Sequence, residues 1–164
     1  LWPDISAILK NKKQRIWICG HSLGGAMATL CASRLEELEP TLYTYGSPRV
    51  GGSEWRDGCD VEHYRFVNNN DIVTAVPLWL MGYRHHGTVR YIDYYGRIKR
   101  MTFGQKVKDQ LLGRWKAITK FQLFDGIYDH DIAGGYADKL QALWFEGREK
   151  IRKRANVGHD RKNV

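Results

Sequence analysis

The pentapeptide Gly20-His21-Ser22-Leu23-Gly24 has residue types and spacing that suit nucleophilic catalysis by a serine hydroxyl. A short apolar run precedes it and a helical pattern follows it, so Ser22 is predicted at the apex of a sharp strand-to-helix turn. We expect side chains at Gly20 and Gly24 to collide with the neighbouring strand and helix. Such a turn also directs the backbone N–H of Leu23 towards a developing oxyanion. The alternative is a Ser/Gly turn without chemistry.

A serine hydroxyl is a poor nucleophile at neutral pH, so it needs a histidine base and a carboxylate that orients the histidine. In an open α/β sheet these partners follow in the order Ser, Asp or Glu, His, in loops after later strands. Asp71 meets this requirement because it follows the predicted strand Glu62–Val67 closely. Asp93, at the end of the next strand, is the alternative, and Asp71 itself could instead cap a turn in its asparagine-rich loop.

Six histidines are candidates for the base, and His130 has the most suitable position. It stands in a loop after the last predicted strand and just before the final helix, where a hydrolase base is expected. His21 lies next to Ser22 inside the turn, so its ring does not easily face the hydroxyl. The other four begin or precede strands or lie near the end of the chain: His63, His85, His86 and His159.

Strands that alternate with helices or long loops predict an α/β fold with a largely parallel sheet. The predicted strands are Arg15–Cys19, Thr41–Tyr45, Glu62–Val67 and Thr88–Ile92. An amphipathic helix is predicted over Gly24–Leu38 from its large apolar residues at helical spacing. These residues are Met27, Leu30, Cys31, Leu35 and Leu38.

The net charge of +8 is concentrated in two segments. Lys and Arg outnumber Asp and Glu by eight to two in residues 94–125 and by seven to two in residues 147–164. The first segment also contains an apolar stripe, which predicts a basic amphipathic helix inserted at about 96–124. This helix could dock on an anionic lipid surface or pack its stripe on its own sheet. Nucleic-acid binding is disfavoured, because no base-stacking aromatic platform or known binding motif accompanies the charge.

Composition predicts a single globular domain, since 43% of the 164 residues are hydrophobic and 27% are charged. No apolar run approaches the length of about 18 residues that a transmembrane helix needs. The three cysteines are an odd number without metal-ligand spacing, and they are interpreted as small core residues, with Cys19 in a buried strand. This cysteine usage favours a reducing, cytoplasmic compartment.

Four segments, in this order along the chain, resemble the class 3 lipases, the fungal-lipase-like branch of the α/β-hydrolases. The segments are Gly20–Ala26 around the serine, Tyr43–Gly51 after the following helix, Phe66–Val73 around the aspartate, and Asp129-His130 with Tyr136 downstream. The resemblance implies an α/β-hydrolase-type sheet with flanking helices. It also implies a catalytic triad of Ser22, Asp71 and His130, the set that order and location favour.

The chain departs from the family pattern because its serine comes early. Such lipases have further strands, a lid helix and a loop with a second oxyanion donor before the serine. We therefore expect a partial domain over residues 1–146 that lacks the amino-terminal strands, followed by a basic tail at 147–164. The strand before Ser22 is expected to have an exposed apolar edge.

Together these features predict a serine carboxylic-ester hydrolase, a lipase that acts on acylglycerols or related lipid esters through an acyl-enzyme. No metal or organic cofactor is required for this chemistry. The alternative is a lipase-like binding or regulatory module without catalysis.

Overall fold

A computed structural model describes residues 2–10, 14–69, 71–93, 95–99 and 130–160, in which five strands form a sheet of order β1-β2-β3-β4-β5. The strands are β1 (Trp17–His21), β2 (Thr41–Tyr45), β3 (Glu62–Asn68), β4 (Thr88–Ile92) and β5 (Ile98–Lys99). β1 to β4 pair in parallel, and β5 pairs antiparallel with β4. The predicted α/β fold with a largely parallel sheet is thus confirmed.

The helices of the described residues flank this sheet. They are α1 (Trp2–Lys10), α2 (Leu23–Arg34), α3 (Ser53–Gly58) and α4 (Asp138–Asp160), with a π-helix at Ile132–Ala137 directly before α4. α2 ends earlier than predicted, because the chain tightens into a 3-10 turn at Glu36–Leu38. Glu39 then adopts a left-handed conformation with φ of 48°, which turns the chain towards β2.

The strands begin and end close to the predicted positions. The predicted bounds of β2 and β4 agree with the structure, and β3 extends one residue further to Asn68. β1 lies two residues later than predicted, because Gly20 and His21 continue the parallel pairing with Thr44 and Tyr45. The sharp turn therefore starts only at Ser22.

Small residues form the face of α2 that packs on the sheet. Ala28 and Ala32 form a core cluster with Leu42 and Val61. Of the large apolar residues that predicted the helix, Met27 is 65% exposed and Leu30 is 48% exposed. The buried face is instead made by Gly25, Ala28, Thr29 and Ala32. Leu35, another of the predicted apolar residues, is buried at 1% exposure, while small side chains along the helix bring its backbone close to the sheet.

β1 is an edge strand of the described sheet, and its side chains are more accessible than predicted. Trp17 is 72% exposed, and Cys19 is exposed as well. The interpretation of Cys19 as a buried core residue is wrong, because the strand is covered less than the central strands β2 and β3. Cys31 and Cys59 are partly buried, and all three thiols are free.

The predicted basic insertion at about 96–124 falls mostly outside the described residues. Near its start, Ile98–Lys99 belongs to the sheet as β5. The segment after 147, predicted as a separate tail, continues α4 as far as Asp160. Gly147 does not interrupt this helix, because good helix formers lie on both sides of it. Within the described ranges, no helix combines the length and apolarity needed to cross a membrane.

A chain of hydrogen bonds beside β3 joins His63 and His86 to Thr44 and Cys59. His86 Nε2 lies 3.0 Å from the carbonyl oxygen of Cys59, which can only accept, so Nε2 carries the proton. His86 Nδ1 lies 3.3 Å from His63 Nδ1, and His63 Nε2 lies 2.8 Å from the Thr44 hydroxyl. One of the two facing Nδ1 atoms donates and the other accepts.

The environment of His63 and His85 opposes a positive charge on either ring. Burial, followed by the nearby His86 and Arg65, lowers the pKa of His63 to about 3. Burial and Arg65 likewise lower the pKa of His85 to about 3, although His85 Nε2 donates to the Thr74 carbonyl at 2.7 Å. Neither ring gains a proton at neutral pH.

We predict that the folded protein loses stability as the pH falls from about 6.5 towards about 3. An unfolded histidine takes up a proton near pH 6.5, whereas folded His63 and His85 do not, so the unfolded chain binds more protons in this range. Each such histidine costs about 1.4 kcal/mol per pH unit. The free energy of unfolding from urea titrations at several pH values measures this slope.

His63→Gln should make the slope shallower, since it removes one of the two groups. His85→Gln should do the same, because it removes the other group. Equal slopes for His63→Gln and the wild type would contradict the prediction.

Candidate active site

Ser22 occupies the turn between β1 and α2 with φ of 56° and ψ of −129°. A residue other than glycine rarely adopts a positive φ, so the backbone of this turn is strained. Hydrogen bonds on both sides hold it: the Ser22 N–H donates to the Tyr45 carbonyl at 3.0 Å, and the Ser22 carbonyl accepts from the Gly25 N–H at 2.9 Å. The strand, turn and helix predicted around this serine are all present.

Two glycines permit the close packing of the turn. A Cβ on Gly20 would lie 2.2 Å from the carbonyl oxygen of Gly24, and one on Gly25 would lie 2.8 Å from the Cβ of Ser47. A Cβ on Gly24 would meet nothing within 4 Å. The predicted collision is therefore confirmed at Gly20 and wrong at Gly24, because position 24 faces open space while position 25 packs on the loop after β2.

The structure brings the three predicted site residues together. His130 Nε2 lies 2.8 Å from Ser22 Oγ, and His130 Nδ1 lies 3.0 Å from Asp71 Oδ1 and 3.1 Å from Asp71 Oδ2. An ionised carboxylate only accepts, so His130 Nδ1 carries the proton and the lone pair of Nε2 faces the serine hydroxyl. This arrangement can remove the hydroxyl proton as the oxygen attacks.

Asp71 is held by donors from three parts of the chain. Its side chain is buried, with the whole residue 4% exposed. Besides His130, Asp71 Oδ1 accepts from the Val73 N–H at 2.9 Å, and Asp71 Oδ2 accepts from the Tyr136 hydroxyl at 2.6 Å. The same hydroxyl accepts from the Asn68 N–H at 3.0 Å, which links β3 to the π-helix.

Gly46 leaves the space in which Asp71 and His130 meet. Its φ of 59° is in the left-handed region, and its N–H donates to the Phe66 carbonyl at 3.1 Å. A Cβ at this position would lie 2.7 Å from Asp71 Oδ2 and 3.0 Å from His130 Nδ1. Only glycine satisfies both the backbone conformation and the close approach.

The backbone of His130 is anchored from the side of the turn. His21 Nε2 donates to the His130 carbonyl at 2.7 Å, and the two rings stack with centroids 4.8 Å apart. His21 is therefore a neighbour of the predicted base and not a rival to it. Further along, Asn68 Nδ2 donates to the Gly135 carbonyl at 3.0 Å, and Lys139 Nζ donates to Asn68 Oδ1 at 2.7 Å.

Asp93, the alternative carboxylate of the sequence analysis, does not contact His130 and instead stabilises a turn. Asp93 is 2% exposed, and its Oδ1 accepts from the N–H groups of Tyr95 and Arg97, each at 2.9 Å. Its Oδ2 pairs with Arg97 Nε at 3.1 Å. These contacts stabilise the turn between β4 and β5. His63, His85 and His86 belong to the separate cluster beside β3, and the described residues contain no group of metal-ligating side chains.

Three further residues of the site were not predicted as site residues from the sequence: Asn68, Tyr136 and Lys139. Tyr136 was visible as an apolar position of the predicted final helix and as part of the family resemblance. Asn68 was visible only as the start of an asparagine run before Asp71. Their contacts join residues more than 60 positions apart, so no local pattern indicates them.

Exposed apolar side chains lie directly after the serine and the aspartate in the chain. Leu23, directly after Ser22, is 69% exposed, and Ile72, directly after Asp71, is 56% exposed. The loop that follows carries more of them: Val76, Leu78, Trp79, Leu80 and Met81.

Comparison with known proteins finds similarity to lipases. The family model Lipase (class 3) matches residues 1–81. Toxin TseL of Vibrio cholerae is 41% identical over 76 residues, which make up 43% of this chain and 12% of the toxin. Secreted mono- and diacylglycerol lipase 1 of Fusarium solani is 33% identical over 106 residues, covering 56% of this chain and 32% of the lipase.

A solved lipase structure is similar to this chain as well. The crystal structure of a lipase from Rhizopus microsporus var. chinensis superposes with a TM-score of 0.50 and 32% identity, over 56% of this chain and 36% of that one. The chain thus spans about a third or less of the length of these curated relatives, 32% in one and 12% in the other.

The cytoplasmic location predicted from the cysteines is wrong. The Fusarium solani relative is named as a secreted lipase, which points to an extracellular location. The prediction failed because it took unpaired thiols as a sign of a reducing compartment. A protein without disulfides is compatible with an oxidising compartment when its folding does not depend on them.

We predict that Gly20→Ala disrupts the turn, because the new Cβ would force the Gly24 carbonyl to move. Overpacking of this kind costs about 1–3 kcal/mol. Thermal unfolding of the intact protein measures the loss. Gly24→Ala is the matched control, since its Cβ meets nothing within 4 Å, and it should unfold close to the wild type. A Gly20→Ala protein as stable as Gly24→Ala would refute this account.

We predict that Tyr136→Phe lowers kcat for ester hydrolysis by about tenfold with little change in KM, because a hydrogen bond to a charged group is lost. The control Tyr64→Phe also removes a tyrosine–carboxylate hydrogen bond, the 2.6 Å contact with Glu62 Oε1, but on the surface. It should keep the wild-type kcat. Equal kcat values for the two variants would show that the Tyr136 hydroxyl does not position Asp71.

Proposed function

Because the chain belongs to the class 3 lipase family, we propose that it hydrolyses carboxylic esters of lipids with Ser22 as the nucleophile. Its largely parallel sheet with flanking helices is of the α/β-hydrolase type. The observation that supports the proposal best is the 2.8 Å contact between Ser22 Oγ and His130 Nε2, with Asp71 Oδ1 3.0 Å from the other ring nitrogen.

In the proposed reaction, Ser22 Oγ attacks the ester carbonyl carbon while His130 Nε2 takes the hydroxyl proton. The imidazolium ion then donates this proton to the leaving alcohol, and the acyl group stays on the serine. Water attacks the acyl-enzyme with His130 again as the base, which releases the fatty acid. Asp71 keeps the ring oriented and stabilises its positive charge.

We propose the backbone N–H of Leu23 as an oxyanion donor. Leu23 is the first residue of α2, so its N–H has no carbonyl one turn earlier in the helix. The positive end of the helix dipole adds to the stabilisation of a negative oxygen at this place. One such donor contributes about a hundredfold to a thousandfold in rate.

We propose acylglycerols or related lipid esters as substrates. The exposed apolar side chains of Leu23 and Ile72 support this, because they follow Ser22 and Asp71 directly in the chain and offer apolar surface to an acyl chain. The Fusarium solani relative is named as a mono- and diacylglycerol lipase. We also propose contact with anionic lipid surfaces through the basic segment at about 96–124, on the grounds of its sequence pattern.

A lipase-like binding module without catalysis is the alternative function. Such a module has no need for a serine hydroxyl, an imidazole and a buried carboxylate in hydrogen-bond contact. The strain at Ser22 also argues against it, because a strained residue persists when the surrounding structure maintains it for a function.

We predict that a fluorophosphonate probe labels Ser22 of the intact protein and that Ser22→Ala abolishes both labelling and p-nitrophenyl ester turnover. Asp71→Asn should reduce kcat by about 10⁴-fold, because the imidazole loses its orientation. Asp93→Asn is the matched control: it also changes a buried aspartate, and it should have a mild effect on turnover. Activity of Ser22→Ala within tenfold of the wild type, or a larger loss in Asp93→Asn than in Asp71→Asn, would overturn the assignment.

A further inference from the structure

Arg65, in the centre of β3, is a buried cation. The residue is 7% exposed, and none of the described residues accepts a hydrogen bond from its Nε. No ion pair joins Arg65 to a carboxylate in the part of the chain that the structure describes. Burying a charge costs free energy unless the charge is paired and hydrogen-bonded. The described residues provide neither a negative charge nor an Nε acceptor for this guanidinium.

A small cavity lies beside this side chain. It has a volume of about 10 Å³, and Arg65 lines it together with Ser47, Trp55, His63 and His85. None of the described residues around it is an aspartate or glutamate. The space suits one water-sized particle and is too small for a phosphate, a sulfate or an organic acid.

The neighbouring basic residues increase the positive charge of this region. Arg49 Nη1 donates to the carbonyls of Ala75 and Pro77, the latter at 2.8 Å. Arg84 Nη1 donates to the carbonyls of Trp79 and Tyr83 at 2.7 and 2.9 Å. These acceptors are neutral. Burial, followed by the charge of Arg49, lowers the pKa of Arg65 to about 10, so Arg65 remains a cation at neutral pH.

The histidines of the cavity cannot compensate Arg65. His63 is hydrogen-bonded to His86 and His85 donates to the Thr74 carbonyl, and burial lowers the pKa of His63 and of His85 to about 3. Both are neutral, so they add polarity without charge. A water molecule in the cavity would accept one hydrogen bond and leave the net charge unchanged.

We propose that a small monovalent anion, of the size of chloride, binds in this cavity against Arg65. The anion neutralises the guanidinium and accepts from its free N–H. It also ties the loop after β2 to β3, because Ser47 of that loop lines the cavity and packs on Gly25 of the serine turn. The site is separate from the proposed chemistry, and its test does not depend on ester turnover.

The melting temperature of the intact protein tests the proposal when sodium chloride replaces sodium gluconate at constant ionic strength. Chloride binding to the folded state should raise the melting temperature in a saturable manner, and bromide should do the same. Gluconate is too large to enter the cavity. A melting temperature that is the same in chloride and gluconate would overturn the proposal.

Arg65→Met keeps an unbranched apolar stem and removes the guanidinium with its charge. It should abolish the chloride dependence, or raise the half-saturating concentration by about tenfold or more, since hydrogen bonds to charged groups are lost. Arg34→Met is the matched control on the exposed surface of α2, and it should respond to chloride like the wild type. A full chloride response in Arg65→Met would overturn the proposal.

Crystals of the wild-type protein in sodium bromide give a direct test that needs no variant. An anomalous bromide peak within hydrogen-bond distance of Arg65 Nε is the expected result. A water molecule in the cavity without an anomalous signal, or a carboxylate from another part of the protein against Arg65, would refute anion binding.

Discussion

The Asp71 carboxylate is the group on which the arrangement of the site depends. It is buried at 4% exposure and accepts hydrogen bonds from its own loop, from the π-helix and from the His130 ring. Burying a carboxylate without hydrogen-bond donors costs free energy, so the fold places all of these donors around Asp71. The negative charge that accepts their hydrogen bonds also orients the imidazole towards Ser22.

The arrangement of the site also requires positions where the backbone lies very close to neighbouring atoms, and glycine occupies these positions. Gly46 leaves room for Asp71 and His130 to meet, Gly20 lets the serine turn close, and Gly25 lets it pack on Ser47. The strain at Ser22 is maintained between two elements that are themselves fixed, because β1 pairs with β2 and α2 packs through its small residues. The hydroxyl therefore has a defined position before any substrate binds.

Much of the sheet and the three central site residues could be predicted from the sequence, because they depend on local patterns and on order along the chain. Order and position distinguish Asp71 from Asp93. The contact between Tyr136 and Asp71 spans 65 positions and leaves no local signal. The buried face of α2 was harder to predict. The short distance between the helix backbone and the sheet admits small side chains there, so apolarity alone does not identify the residues in contact. For the same reason the roles of Gly24 and Gly25 could not be separated, since both follow the serine within three residues.

The segment from His130 to the end of α4 adds no strand to the sheet, yet it completes the site. In the described residues it is joined to the strands and their loops by hydrogen bonds to His21, Asn68 and Asp71. The strands β1 to β4 pair with one another without this segment, so the pairing of the sheet and the completion of the site depend on different parts of the chain. A measurement of strand content, such as circular dichroism, therefore reports the sheet and not the contact between His130 and Ser22.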